Sequence, residues 1–241
     1  MKATKKKTGS PGRKPTAKAI KVLAVDIGGS HVKMMLSPRS EKRRFQSGPG
    51  LTASDMVAQV LALPGDWDFD VVSVGYPGPV IHNRPLSEPH NLGKGWFGFN
   101  FGHAFEKLVK VINDAAMQAL GSYQGGRMLF LGLGTGLGSA MIVEGLIEPM
   151  ELAHLPYKRG RTFEEYLGRA GLERMGVKKW RAEVSAVVER LGAALEPDYV
   201  VLGGGNAPLL KKLPAKARLG NNEDAFTGGF LLWQPTPRRH G

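Results

Sequence analysis

The chain has 241 residues, 42% of them hydrophobic, which is enough for one large domain or two small lobes. No stretch approaches the roughly 18–20 consecutive apolar residues that cross a bilayer, and no apolar run follows the first lysines as in a secretory signal, so a cytoplasmic protein with no membrane partner is expected. The absence of cysteine excludes disulfides, thiolate-bound zinc, iron–sulfur clusters and cysteine nucleophiles, leaving oxygen and nitrogen groups to carry any chemistry.

The net charge of +12 is concentrated at the front. Residues 1–21 hold eight basic residues (Lys2, Lys5, Lys6, Lys7, Arg13, Lys14, Lys18 and Lys21) and no acid, which leaves 25 basic residues against 21 acids in the remainder. With Gly9, Pro11, Gly12 and Pro15 and almost no apolar side chain, this segment is expected to be a disordered basic tail. Such a tail either solubilises the chain or binds polyanions without specificity; no specific nucleic-acid partner is expected.

The first apolar run, Val22 to Val25, ends in Asp26-Ile27-Gly28-Gly29-Ser30 and resumes as Val32 to Leu36, the pattern of a β-hairpin, with Arg43 to Gln46 as a third strand. Ala53 to Leu63 has helical spacing, with Thr52 or Ser54 as its cap. Val71 to Val74 is a short buried strand running into a loop at Gly75-Tyr76-Pro77-Gly78-Pro79. Leu108 to Ile112 reads as a strand, and Ala115 to Leu120 as a short helix stopped by Gly121, so Asp114 falls at a strand-to-helix junction.

From Met128 the pattern restarts. A strand to Leu131 is followed by Gly132-Leu133-Gly134-Thr135-Gly136-Leu137-Gly138, a strand to Val143, and a turn at Gly145. Trp180, Val184, Val187, Val188, Leu191 and Leu195 predict an amphipathic helix, and Tyr199 to Leu202 a strand ending in Gly203-Gly204-Gly205. The two hairpin-led halves imply an α/β chain of two similar lobes with a cleft between them. The expected boundaries are 1–21 for the tail, 22–121 and 122–233 for the lobes, and 234–241 for a C-terminal tail.

Three glycine-bearing turns, each at the end of a strand, suit phosphate, because backbone amides there can approach oxygens with no side chain in the way. The spacing fits neither Gly-x-x-x-x-Gly-Lys-[Ser/Thr] nor a dinucleotide fingerprint. With the strand-terminal carboxylates Asp26 and Asp114, the set resembles the ROK family of sugar kinases within the actin/hexokinase-like superfamily, most closely its polyphosphate glucokinase branch, over about residues 22 to 233. Val25-Asp26-Ile27-Gly28-Gly29-Ser30-His31-Val32-Lys33 is similar to the family's first phosphate motif, with Ser30 where Thr is common. Leu133-Gly134-Thr135-Gly136-Leu137-Gly138 is similar to the second, and Val201-Leu202-Gly203-Gly204-Gly205-Asn206 to the adenosine-side motif. Asn113-Asp114-Ala115 resembles the catalytic segment, and Glu151-Leu152-Ala153-His154 the Glu-x-Gly-His sugar motif with Ala in place of Gly.

The resemblance implies the two-lobed actin/hexokinase-like (ribonuclease H-like) fold, with Asp114 as the general base that takes the proton of a sugar 6-hydroxyl. Asp26 would assist Mg²⁺, directly or through water. Gly28, Gly29, Ser30, Gly134, Thr135 and Gly136 would form the phosphate cradle, to which Lys33 either adds charge or stays solvated. Asn91, Asn113, Asp114, Glu151, His154 and Glu164 would line the sugar pocket beside the Tyr76-Pro77-Gly78 loop, and Gly203, Gly204 and Gly205 would face a nucleotide. Asn113 is otherwise a helix cap and His154 a structural histidine. The residues alone do not choose between Glu164 and Glu165; the family's Glu-x-Tyr segment selects Glu164. The family's cysteine cluster is missing, so zinc is not expected.

The implied activity is phosphoryl transfer to the 6-hydroxyl of glucose from polyphosphate, with ATP open as a second donor, in a homodimer. Lys158, Arg159, Arg161, Arg169, Arg174, Lys178, Lys179 and Arg181 are either a polyphosphate track or a solvated face. Other readings are an ATP-dependent kinase for mannose or fructose and a sugar-responsive regulator; for the latter, about 21 residues before the first strand are too few for a DNA-binding domain.

Overall fold

The computed structural model describes residues 19–39, 41–63, 65, 67–221 and 223–234; of the expected tails at 1–21 and 234–241, residues 1–18 and 235–241 lie outside them. In chain order the first half comprises β1 (Val22–Ile27), β2 (His31–Leu36), β3 (Lys42–Gln46), α1 (Ala53–Ala62), β4 (Val71–Tyr76), β5 (Val80–Ile81), β6 (Arg84–Pro85), α2 (Phe101–Phe105), β7 (Leu108–Asn113) and α3 (Asp114–Ser122). The second comprises β8 (Arg127–Leu133), β9 (Leu137–Val143), β10 (Leu146–Met150), β11 (Pro156–Lys158), β12 (Arg161–Thr162), α4 (Phe163–Leu167), α5 (Arg169–Leu195), β13 (Tyr199–Gly203), β14 (Ala217–Leu219) and α6 (Asp224–Leu231).

The two large sheets have the same plan. The first has strand order β3-β2-β1-β4-β7 and the second β10-β9-β8-β13-β14, each an antiparallel meander extended by parallel strands. Alternation along the leading strands decides which layer each side chain joins. Leu23, Val25 and Ile27 pack outward with Met56, Val57 and Val60 of α1 and Phe101 and Phe105 of α2. Leu129, Leu131 and Leu133 pack outward with Trp180, Val184, Val187 and Val188 of α5. The inner faces carry smaller partners: Ala115, Ala116 and Ala119 of α3 pack on Met128, Phe130 and Ala140, and Phe226 of α6 packs on Ala24 and Met35. The layers therefore run outer helices, first sheet, the α6 and α3 pair, second sheet, outer helices. Among the described residues no helix is long and apolar enough to cross a membrane.

Local chemistry explains most element ends. Thr52 caps α1 by accepting the Asp55 N–H. One sequence expectation changes. Gly121 does not stop α3, which continues to Ser122; a Cβ on Gly121 would lie 1.8 Å from the Asp224 carbonyl oxygen, so the glycine permits close approach of α6. The expected helix over Trp180 to Leu195 is present and is preceded by a second helical segment from Arg169, the two being separated by a kink at Gly176, whose φ of 74° lies outside the helical region. The C-terminal segment of the expected second lobe also crosses back to the first sheet. There the Ser73 hydroxyl donates to the Gly229 carbonyl, the Trp233 indole donates to Ser73 Oγ, and Lys110 Nζ donates to the Leu232 carbonyl.

Candidate active site

Two equivalent hairpin turns, one per sheet, frame the site. In the first, the Gly28 N–H donates to the His31 carbonyl at 3.0 Å and Ser47 Oγ donates to the Gly28 carbonyl at 2.6 Å. In the second, the Gly134 N–H donates to the Gly136 carbonyl at 3.1 Å. Gly28 and Gly134, expected among the phosphate donors, use their amides to close the turns. The N–H groups of Gly29, Ser30, Thr135 and Gly136 take no protein acceptor among the described residues. Ser30 and Thr135 are exposed.

The second turn is braced from three elements. The Leu137 N–H donates to Glu164 Oε2 at 3.1 Å, Asn206 Nδ2 donates to the Gly134 carbonyl at 3.0 Å, and the Arg169 N–H donates to the Thr135 carbonyl at 3.1 Å. This geometry separates the two neighbouring glutamates. Glu164 reaches the glycine turn, whereas Glu165 forms a capping box with Thr162 and an ion pair with Arg161. Glu165→Ala is expected to lower stability by about 1 kcal/mol with kcat retained. Glu164→Ala is expected to reduce kcat/KM about 10-fold or more by loosening the turn; steady-state kinetics and thermal melts on the pair would separate the roles.

The acids come from both halves of the chain. Asp26, one residue before the end of β1, lies on the inner face in register with Lys33 on β2, whose Nζ lies 3.9 Å from its carboxylate. Asp114 opens α3 and accepts the Ala115 N–H at 2.7 Å. Burial, then the nearby negative charge of Asp26, pushes Asp114 up to about 7, with Glu151 adding to the rise. Burial also raises Asp26 against the pull of Lys33. Glu151 is raised by burial and by Glu164, with His154 opposing from 3.8 Å. A carboxyl that changes protonation near neutrality, set among other acids and unengaged amides, is suited to take a proton from an alcohol while an anionic group is held alongside.

The remaining expected residues have visible structural duties. Asn113 is the cap of α3: Oδ1 accepts the Ala116 N–H and Nδ2 donates to the Gly78 carbonyl. His154 is an exposed imidazole near Glu151. Asn91 packs against Gly29, where a Cβ would lie 3.1 Å from the Asn91 Cβ. Cβ atoms on Gly203 and Gly204 would meet the Phe130 ring at 2.6 Å and the Leu133 carbonyl oxygen at 2.5 Å, so these glycines seat their turn against the second phosphate-type turn; Gly205 faces open space. Beside Gly204, a cavity of about 280 Å³ is lined by Ala207, Pro208, Leu219, Gly220 and Asn221.

Of the basic residues between 158 and 181, Lys158 pairs with Glu183, Arg161 with Glu165, Arg174 donates to the Glu165 carbonyl and Arg181 to the Leu209 carbonyl. Sequence reading missed Glu88, which accepts the N–H groups of Gly95, Trp96 and Phe97 and so closes the loop that carries Asn91. The Trp96 bond leads in holding its carboxyl below the ordinary range. No spacing signals a carboxylate that binds backbone seven to nine residues ahead.

No protein-family model matches the chain. In sequence it is 28% identical over 205 residues to the polyphosphate glucokinase of Mycobacterium tuberculosis, covering 75% of this chain and 76% of that one. It is 24% identical over 239 residues to the glucokinase of Pyrobaculum calidifontis, covering 78% and 80%. In fold it matches the inorganic polyphosphate/ATP-glucomannokinase of an Arthrobacter species with a TM-score of 0.74 and 24% identity, over 89% of this chain and 98% of that one. It also matches a ROK family glucokinase from Streptomyces griseus, solved with glucose and AMPPNP, with a TM-score of 0.71 and 17% identity over 88% and 98%. The chain is a sequence relative of polyphosphate glucokinases and has the fold of the ROK-family sugar kinases.

Proposed function

We propose that this protein is a polyphosphate-dependent glucokinase, making glucose 6-phosphate. The observation that carries the reading is Asp114, a carboxyl near neutrality on the end of α3, grouped with Asp26 and Glu151 beside two turns with unengaged amides. Asp114 takes the proton from the glucose 6-hydroxyl as that oxygen bonds to the terminal phosphorus. The bond from that phosphorus to its bridging oxygen breaks, and the electron pair leaves with a polyphosphate shortened by one unit. The amides of Gly29, Ser30, Thr135 and Gly136 hold the phosphate oxygens, and Glu151, His154, Asn91 and Asn113 face the sugar.

Mg²⁺ fits the donor set. Asp26 and Asp114 are neighbouring carboxylates whose charges burial disfavours, with Asp26 adding to the rise of Asp114, and magnesium is held by one or two carboxylates, waters and substrate phosphates rather than by a protein cage. Asp26 would hold the ion, which supplies charge neutralisation on the phosphates. The cavity lined by Gly204, Ala207, Pro208, Leu219, Gly220 and Asn221 favours ATP as a second donor.

The test is glucose 6-phosphate formation with Mg²⁺ and glucose, with long-chain polyphosphate and ATP offered separately and each freed of the other. Faster turnover on polyphosphate is expected. Turnover on ATP alone would overturn the donor assignment, and turnover on neither would overturn the kinase reading for glucose.

A further inference from the structure

The inner face of the first sheet carries a row of charge that no motif marks. Asp26 on β1 stands opposite Lys33 on β2, and Lys33 stands opposite Arg44 on the edge strand β3. Directly opposed residues share a face, and strands lie about 4.8 Å apart, so the row runs roughly 10 Å outward from Asp26. The row below it, Ala24, Met35 and Lys42, is covered by α6 through Phe226 and an ion pair between Lys42 and Glu223. The row above it, His31 opposite Gln46, adjoins the Gly28-Gly29-Ser30 turn. Lys33 and Arg44 therefore form an exposed strip that leads away from the half-buried Asp26, between α6 and that turn. Arg44 is exposed and has no side-chain partner among the described residues, in contrast to Arg43 on the opposite face, whose guanidinium lies over the Trp67 ring.

We propose that Lys33 and Arg44 form a subsite for the distal units of an inorganic polyphosphate chain, carrying it from the transfer site outward across β2 and β3. The inference rests on the polyphosphate reading above and adds the path of the donor. Two unit cations one strand apart suit a linear polyanion, whose charge repeats along its length, and they lie on the first lobe. A nucleoside would instead turn toward the cavity beside Gly204 on the second lobe. Four of the eight bases at 158–181 are held by Glu183, Glu165 or backbone carbonyls, as Lys33 is by Asp26, whereas Arg44 has no such partner among the described residues.

The test compares wild type with Arg44→Glu, Arg44→Lys and a Lys178→Ala/Lys179→Ala double variant. Two readouts are used: kcat/KM on long-chain polyphosphate and on ATP, and direct binding of fluorescently labelled polyphosphate across a salt series. Arg44→Glu is expected to lower the polyphosphate-to-ATP ratio of kcat/KM about tenfold and to reduce the salt slope of binding by about 1. Arg44→Lys should recover most of the loss, and the double variant should keep the wild-type ratio. Wild-type turnover on polyphosphate with an unchanged ratio in Arg44→Glu would overturn the subsite and leave the donor reading intact. An equal loss in the double variant would overturn it in favour of general charge attraction. Polyphosphate binding that depends on Arg44 without wild-type turnover would support the subsite and overturn the donor reading; no binding by wild type would overturn both.

Discussion

Asp114→Asn is expected to lower glucose 6-phosphate formation by about 10³-fold or more, at the upper part of the range for a lost general base, while glucose binding persists. The amide keeps the acceptor for the Ala115 N–H, so the start of α3 has no reason to move. Turnover in this variant within tenfold of wild type would refute the assignment. On that assignment the proton acceptor in the wild type is the ionised carboxylate, whose midpoint stands at about 7, so kcat/KM should rise with pH and level off above neutrality.

The same shift has a consequence for stability. A carboxyl whose folded midpoint is raised from 3.8 to about 7 contributes stability that is full below the ordinary carboxylate range and is lost as pH rises through about 7. Asn carries no charge at any of these pH values. The variant should therefore melt higher than wild type at pH 8, with the gap closing as pH falls toward 4. A higher melting temperature combined with lost turnover is the signature of a group kept for chemistry at a cost in stability; a simple folding defect would move both downward.

The second large effect is expected at the α3–α6 crossing. A Cβ on Gly228 would lie 1.8 Å from the Met117 carbonyl oxygen, and one on Gly121 would lie 1.8 Å from the Asp224 carbonyl oxygen. Both obstacles are backbone, so neither can rotate away, and the helices would have to separate. These two helices are the layer between the sheets, so separating them strips contacts from Ala24, Phe226 and the alanine face of α3 together. Gly228→Ala is expected to cost about 3 kcal/mol or more, lowering the melting temperature by about 10 °C for a chain of this size. Gly205→Ala, where the added methyl meets open space, should leave it within about 2 °C. Calorimetry on the two variants checks the contrast, and equal melting temperatures would refute the packing account.

Much of the architecture was legible because it rests on short-range patterns. Apolar runs interrupted by glycine turns, from Val22 to Leu36 and again from Met128 to Val143, marked the hairpins; the junction at Asn113-Asp114 marked the start of α3. The glycine turns at 28–30 and 134–136 were visible for the same reason, since only a few residue types allow strands to reverse so tightly. Other features depend on residues far apart in the chain, which local patterns do not carry. Gly121 reads as a helix stop until Asp224 is brought beside it, and α6 belongs to the first sheet only because Ala24 and Ser73 leave room for Phe226 and Gly229. Glu164 and Glu165 are equivalent acids in the sequence, and the fold turns one toward the Leu137 amide and the other back onto its own helix. The chain thus determined by itself which backbone turns and carboxylates it would offer. The tertiary structure decided which amides stay unengaged and how far Asp114 is pushed toward neutrality, because both follow from burial and from charges contributed by other elements.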